Sequence, residues 1–237
     1  MPHNSTLGAY RLDFVKICGI TSAEDRDLVA EAGADYFGVL IDVAYSPRSI
    51  SLTQAGKLFK SPPIPGVALV FNNSLDRIRK IVDELNPFAI QLLGNEPPEF
   101  IATLKSALDC RIWKCLHLPP KGHGAVDLEF LITLAEDLEN SGVDAIAVDT
   151  LDTTGTKTML GGTGMVGDWN AIRALLKDRT VPGILAGGIN DGNVIMALQA
   201  VRPNGIDVCT GVESSIGKKD PAKLNRLFSV LEPYRSS

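Results

Sequence analysis

The chain has 237 residues, 45% of them hydrophobic, which is enough for a sizeable core, and carries a net charge of −5. Its 23 Lys and Arg form no basic cluster, which argues against nucleic acid or an anionic membrane as partner. No apolar run approaches the roughly 18 residues of a membrane span, and no secretory h-region is visible near the start.

Residues 1–13 are mostly polar and read as a flexible N-terminal tail. Val15–Cys18 is a short apolar strand that ends on a cysteine. After it, Thr21-Ser22-Ala23-Glu24 fits a capping box opening a helix over Ala23–Ala32. Further strand patterns follow at Tyr36–Ile41, Val67–Phe71, Phe88–Leu93, Arg111–Leu116, Ala145–Val148, Gly183–Ala186 and Ile206–Cys209. Amphipathic segments lie between and after them, at Thr53–Phe59, Leu75–Leu85, Pro98–Leu108, Leu128–Ser141, Trp169–Leu176, Asn193–Val201 and Pro221–Leu231. Gly-x-Asp recurs at Gly33, Gly142 and Gly205, the pattern of a glycine closing a helix just before a strand. Asp168-Trp169 and Asp220-Pro221 read as capped helix starts. Eight strand–helix units in about 220 residues predict one closed (β/α)8, or TIM, barrel over residues 14–237. An open doubly wound sheet is the alternative, but no Gly-x-Gly-x-x-Gly follows the first strand.

A barrel of this kind carries its active site at the C-terminal ends of the strands. Side chains alternate along a strand, so parity decides which of them point inward. A lysine is poorly placed against the apolar helix layer. Lys16 therefore points inward and brings Cys18 with it, at the mouth. A small buried core residue is the plain reading of such a cysteine; beside a cation, a thiol of lowered pKa is the chemical one. In "AIAVDT", the small Ala145 and Ala147 share a face with Asp149, which places a carboxyl across the mouth from Cys18. A helix cap is the competing reading of that aspartate. Together Cys18 and Asp149 suit division of labour between a base and an acid. Glycine-rich stretches close the last three units, at Gly161–Gly164, Ala186–Ile189 and Cys209–Gly217. Glycine lets backbone amides approach an anion, and barrels often hold phosphate with the loops after strands seven and eight. The expected ligand is thus a phosphorylated small molecule, held at Gly162, Gly164, Gly187, Gly188, Gly211 and Val212. Arg48, in "YSPRS", is either a surface residue or a bidentate carboxylate holder. Asp207 is placed to pair with Lys16, and His117 and His123 read as surface residues flanking a Pro-Pro-Lys-Gly loop. The four cysteines, Cys18, Cys110, Cys115 and Cys209, show neither CxxC spacing nor a zinc pattern, so no metal is expected. Reduced thiols in a cytoplasm are the expectation. Nothing in the sequence speaks to oligomeric state.

At these residues the chain resembles the phosphoribosylanthranilate isomerase family. The matching motifs are "KICGIT", "SPRSI", "GVALVFNN", "QLLG", "VDT…GGTGMVGDW", "LAGGINDGNV" and "GIDVCTGVESSIGKKD". The resemblance implies a barrel that performs the Amadori rearrangement of a phosphoribosylamine in tryptophan biosynthesis, with no cofactor. It also implies that Cys18 is the general base, that Asp149 is the general acid, and that Arg48 reaches the anthranilate carboxylate. Three departures stand out. Leu93 occupies the place of a histidine in the family's Gln-Leu-His-Gly, "IDVAY" lacks the usual aromatic and basic neighbours before Ser46, and Cys209-Thr210 replaces a serine pair. Two other readings follow from these changes: an isomerase of another phosphorylated sugar or ribosylamine, or a non-catalytic phosphate-ligand binder.

Overall fold

The computed structural model describes residues 10–122, 124, 126–152, 159–160 and 166–235. β1 (Phe14–Ile17) leads to α1 (Ala23–Glu31), β2 (Tyr36–Ile41) to α2 (Leu52–Phe59), β3 (Gly66–Val70) to α3 (Leu75–Leu85), and β4 (Ala89–Leu92) to α4 (Pro98–Ala107). The second half repeats this with β5 (Arg111–Leu118) and α5 (Leu128–Asn140), β6 (Ala145–Asp152) and α6 (Trp169–Leu176), β7 (Gly183–Leu185) and α7 (Val194–Val201), and β8 (Gly205–Val208) and α8 (Pro221–Leu231). Each strand pairs in parallel with the next, and β8 pairs with β1, so the sheet closes into a barrel. A single 3₁₀ turn, Thr210–Val212, and a small antiparallel hairpin, Glu213–Ser215 with Lys218–Lys219, sit between β8 and α8. No helix among the described residues is long and apolar enough to cross a membrane.

Strand alternation splits the apolar side chains into two layers. Val15, Ile17, Val39, Ile41, Ala68, Val70, Ile90 and Leu92 face the helices, whereas Leu40, Val67, Leu69, Ala89, Cys115, Ala145, Ala147 and Ile184 fill the interior. Phe14, Tyr36, Phe88 and Trp113 form an aromatic floor across the N-terminal end, with ring centroids 4.7 to 6.1 Å apart. Lys16 and Asp207 lie in register on β1 and β8 and pair at 2.6 Å, as the sequence suggests, with Lys16 wholly buried.

Three local expectations change. The N-cap of α1 is Ser22, whose hydroxyl accepts from the Asp25 amide at 3.1 Å, and not Thr21, which donates to the Gly217 carbonyl. Gly33 and Gly142 do close helices with left-handed φ values of 101° and 88°, but Gly205 belongs to β8, seated on the Phe14 ring. The turn there is tied by Asn204, whose side-chain oxygen accepts from the Gly183 amide at 2.9 Å. The last residues assigned to a flexible tail are docked. Leu12 is buried and donates its amide to the Tyr234 carbonyl, and the Asp13 amide bonds to the Asn204 carbonyl. Leu12 supplies an apolar side chain to the base of the barrel, which a count of polar residues over 1–13 overlooks.

Candidate active site at the barrel mouth

Cys18 follows β1 directly, and its amide bonds to the Val208 carbonyl at 2.9 Å, so the seam between β1 and β8 fixes its place. The side chain is buried in the interior layer. Burial pushes its thiol up to about 12, with Asp207 and Cys209 adding to the rise; Lys16 lowers it, but too little to win. The expectation of a thiol activated by its neighbouring lysine is therefore corrected. The cation acts in the expected direction, yet its charge is committed to Asp207 at 2.6 Å and desolvation is the larger effect.

Asp149 lies within β6, which runs past the apolar pattern Ala145–Val148 to Asp152. It is half-buried at the mouth, and its Oδ1 accepts from the Thr150 amide at 2.7 Å. Burial raises its carboxyl to about 7, and the Asp207 charge adds to this, while the Thr150 amide and Lys16 act the other way. The carboxyl is thus protonated over part of the neutral range, the state an acid requires. Cys18 and Asp149 line one pocket together with Arg48, Leu93, Gly187 and Gly188.

Arg48 is buried rather than a surface residue. Its Nε donates to Glu213 Oε1 at 2.8 Å and its Nη2 to Glu213 Oε2 at 2.7 Å. Lys219, also buried, approaches the same carboxylate at 3.1 Å. Burial alone would raise Glu213; Arg48 and Lys219 outweigh it and hold the carboxyl below its ordinary range. The bidentate fork of Arg48 is thus occupied from within the protein, leaving Nη1 and the second Nη2 hydrogen for a ligand.

Gly187 and Gly188 follow β7 with left-handed φ values of 87° and 65°. A Cβ on Gly187 would lie 2.3 Å from the Thr150 hydroxyl and 2.9 Å from its amide nitrogen, and a Cβ on Gly211 would lie 2.0 Å from the Ile189 carbonyl oxygen. Glycine at 187 and 211 keeps the loops after β7 and β8 in contact with their neighbours. Gly211 and Val212 belong to the 3₁₀ turn Thr210–Val212. Gly162, Gly164 and His123 lie outside the described residues.

His117 departs from its surface assignment. It is the seventh residue of β5, on the inward parity of Trp113 and Cys115, opposite Asp149 in register. Its Nε2 lies 2.9 Å from the Leu93 carbonyl. That oxygen only accepts, so the ring carries its proton on Nε2. Burial lowers His117 to about 4, so the ring is neutral. Leu93 points inward, as parity requires, and lines the pocket. The sequence reading omits Tyr45, Gln91, Glu213 and Lys219. Gln91, a polar residue between apolar neighbours in a buried strand, carries the one available signal; Glu213 and Lys219 find their roles only through the hairpin that folds them under Arg48.

Fold and mouth together define a (β/α)8-barrel enzyme, with its titratable groups gathered at the C-terminal strand ends. Residues 15–230 match the family described as N-(5'phosphoribosyl)anthranilate (PRA) isomerase, and the chain belongs to that family. An isomerase of this name from Methanocella arvoryzae is 39% identical over 214 residues, covering 87% of this chain and 92% of that one. The tryptophan biosynthesis protein TrpCF of Haemophilus influenzae is 38% identical over 216 residues, 90% of this chain and 42% of that longer protein. A phosphoribosyl anthranilate isomerase solved with reduced 1-(o-carboxyphenylamino)-1-deoxyribulose 5-phosphate superposes with a TM-score of 0.74 at 27% identity, covering 94% of this chain and all of that one. The resemblance read from the motifs is thereby shown, as is the barrel. The chain is an isomerase of the aldose–ketose type acting in tryptophan biosynthesis.

Proposed function

We propose that this chain rearranges N-(5'-phosphoribosyl)anthranilate with Asp149 as general acid and Cys18 as general base. Asp149 gives its proton to the furanose ring oxygen as the C1–O bond breaks, and the amine lone pair closes a C1–N double bond. Cys18 then takes the proton from C2. That C–H pair becomes the C1–C2 double bond as the C1–N π pair returns to nitrogen, and the resulting enolamine tautomerises to the 2-ketone. The step leaves Asp149 ionised and Cys18 protonated, and proton exchange with solvent resets both for the next turnover.

The observation that carries this reading is a carboxyl raised to about 7 in the same pocket as an inward-facing thiol. In the ligand-free protein Cys18 is a thiol, so forming the thiolate is part of the chemical barrier. Lys16 lowers that barrier and Asp207 raises it. The phosphate belongs at the glycine loops, among Gly187, Gly188, Gly211 and Val212 and with Gly162 and Gly164. The anthranilate ring belongs on the apolar wall of Leu40, Leu69 and Leu93, with Arg48 facing its carboxylate. Four free thiols support a cytoplasmic setting.

Loss of anthranilate-type fluorescence on adding phosphoribosylanthranilate tests the assignment. Cys18→Ala and Asp149→Asn are each expected to lower kcat by roughly 10² to 10⁴, the range for a lost acid or base, with KM changed much less. Near-wild-type kcat in either variant removes that residue from the mechanism.

A further inference from the structure

The loop after β2 presents a second polar group to the pocket, three residues before Arg48. Tyr45 lines the pocket, its ring stacked edge-on against Phe71 with centroids 5.0 Å apart. Its hydroxyl is buried and has no hydrogen-bond partner among the described residues. Leaving such a group unpaired is unfavourable, so a ligand that pairs it gains accordingly. Burial first, then the acidic groups of Cys115, Asp149 and Glu96, raise its pKa, so the phenol keeps its proton and is a standing donor.

We infer that Tyr45 is a substrate-binding residue whose hydroxyl donates a hydrogen bond to the carboxylate of the substrate's aromatic half. The inference rests on the isomerase reading above and assigns a contact inside that site. Three observations converge on it. Tyr45, backed by Phe71, continues the apolar wall formed by Leu69 and Leu93, which suits an aromatic ring. The carboxylate is the one strong hydrogen-bond acceptor on that half of the substrate. Arg48 alone is an incomplete partner for it, because two of its five donors and much of its charge are spent on Glu213. His117 Nε2 is committed to the Leu93 carbonyl and Gln91 Oε1 only accepts, so the Gln91 amide NH2 is the other donor on this side of the pocket.

Calorimetric binding of two stable ligands tests this. One is the reduced 1-(o-carboxyphenylamino)-1-deoxyribulose 5-phosphate known from the related structure; the other is its phenylamino counterpart without the carboxyl. Tyr45→Phe keeps the ring and removes only the hydroxyl. It is expected to weaken the carboxylated ligand about tenfold or more, the range of a hydrogen bond to a charged group. Affinity for the second ligand should stay within about twofold. Unchanged affinity for both, or an equal loss for both, overturns the inference. A wild-type protein that turns over phosphoribosylanthranilate while Tyr45→Phe behaves normally overturns it alone; a wild-type protein that binds neither ligand overturns the isomerase reading and this contact together.

Discussion

Burial that keeps Asp149 protonated also opposes folding. Its carboxyl is raised from 3.8 to about 7 in the native state. Between those values the folded chain binds more protons than the unfolded one, so stability falls as pH rises through that window and stays lower above it. The difference bounds the loss at about 4 kcal/mol, with solvent at the pocket reducing it. Asp149→Asn keeps an acceptor for the Thr150 amide and removes the buried charge. Urea melts should show it more stable than wild type by one to a few kcal/mol at pH 8 and nearly equal at pH 4; equal stability at both pH values would mean the carboxyl titrates normally. His117 works in the opposite sense. Lowered to about 4, it loses native stability as the pH falls from about 6.5 toward 4, in wild type and variant alike. Individual residues differ in how legible they are. The inward facing of Lys16, Cys18 and Asp149 follows from parity along two short strands. The neutral His117 and the Arg48–Glu213 pair depend on contacts across 24 and 165 positions, which no local pattern encodes.

The loops at the mouth are braced from behind by one buried ion pair. Lys114, on the outward face of β5, bonds to Glu96 Oε2 at 2.9 Å and to the Gly94 carbonyl at 2.5 Å. Glu96 Oε1 accepts from the Asn72 amide at 2.9 Å and the Gly94 amide at 3.2 Å. The ends of β3, β4 and β5 are thereby joined next to Leu93. Lys114→Met strands a buried carboxylate and is expected to destabilise the protein by about 3–5 kcal/mol, whereas adding Glu96→Gln to it should restore part of the loss. A double variant no better than the single would show that the loss does not come from the stranded side chain of Glu96. On the opposite side, Gly211→Ala drives a methyl into the Ile189 carbonyl. A loss of about 1–3 kcal/mol and a raised KM for the phosphorylated substrate are expected. An unchanged KM in steady-state kinetics would detach that turn from phosphate binding. Element types and order are legible because each strand pattern is bounded by a helix pattern of a different period. The exact cap of α1 is not, since Thr21 and Ser22 offer the same chemistry one residue apart and only the packing of Thr21 on Gly217 decides between them.

At the scale of the molecule, both ends of the described chain meet beneath the barrel. Arg235 holds Asp35 at 2.8 Å, Asp35 accepts from the Val15 amide at 2.7 Å, and Leu12 fills the space between. Leu12→Ala should lower stability by about 2–5 kcal/mol if that corner is core; a thermal melt unchanged from wild type would make the docking incidental. The seam above this corner has a further consequence for how the protein is made. β1 is synthesised first and β8 last, yet among the described residues the carboxylate that pairs with Lys16 is Asp207, 191 residues later. At roughly 5–20 residues per second, a ribosome needs roughly 10–40 s to supply that partner. A ring closed earlier would enclose a bare ammonium, so the nascent chain stays an open sheet with β1 unpaired on one side. Ribosome-bound chains stalled before Asp207 should therefore stay protease-sensitive, and protection equal to that of the full chain would show that β1 is held without β8.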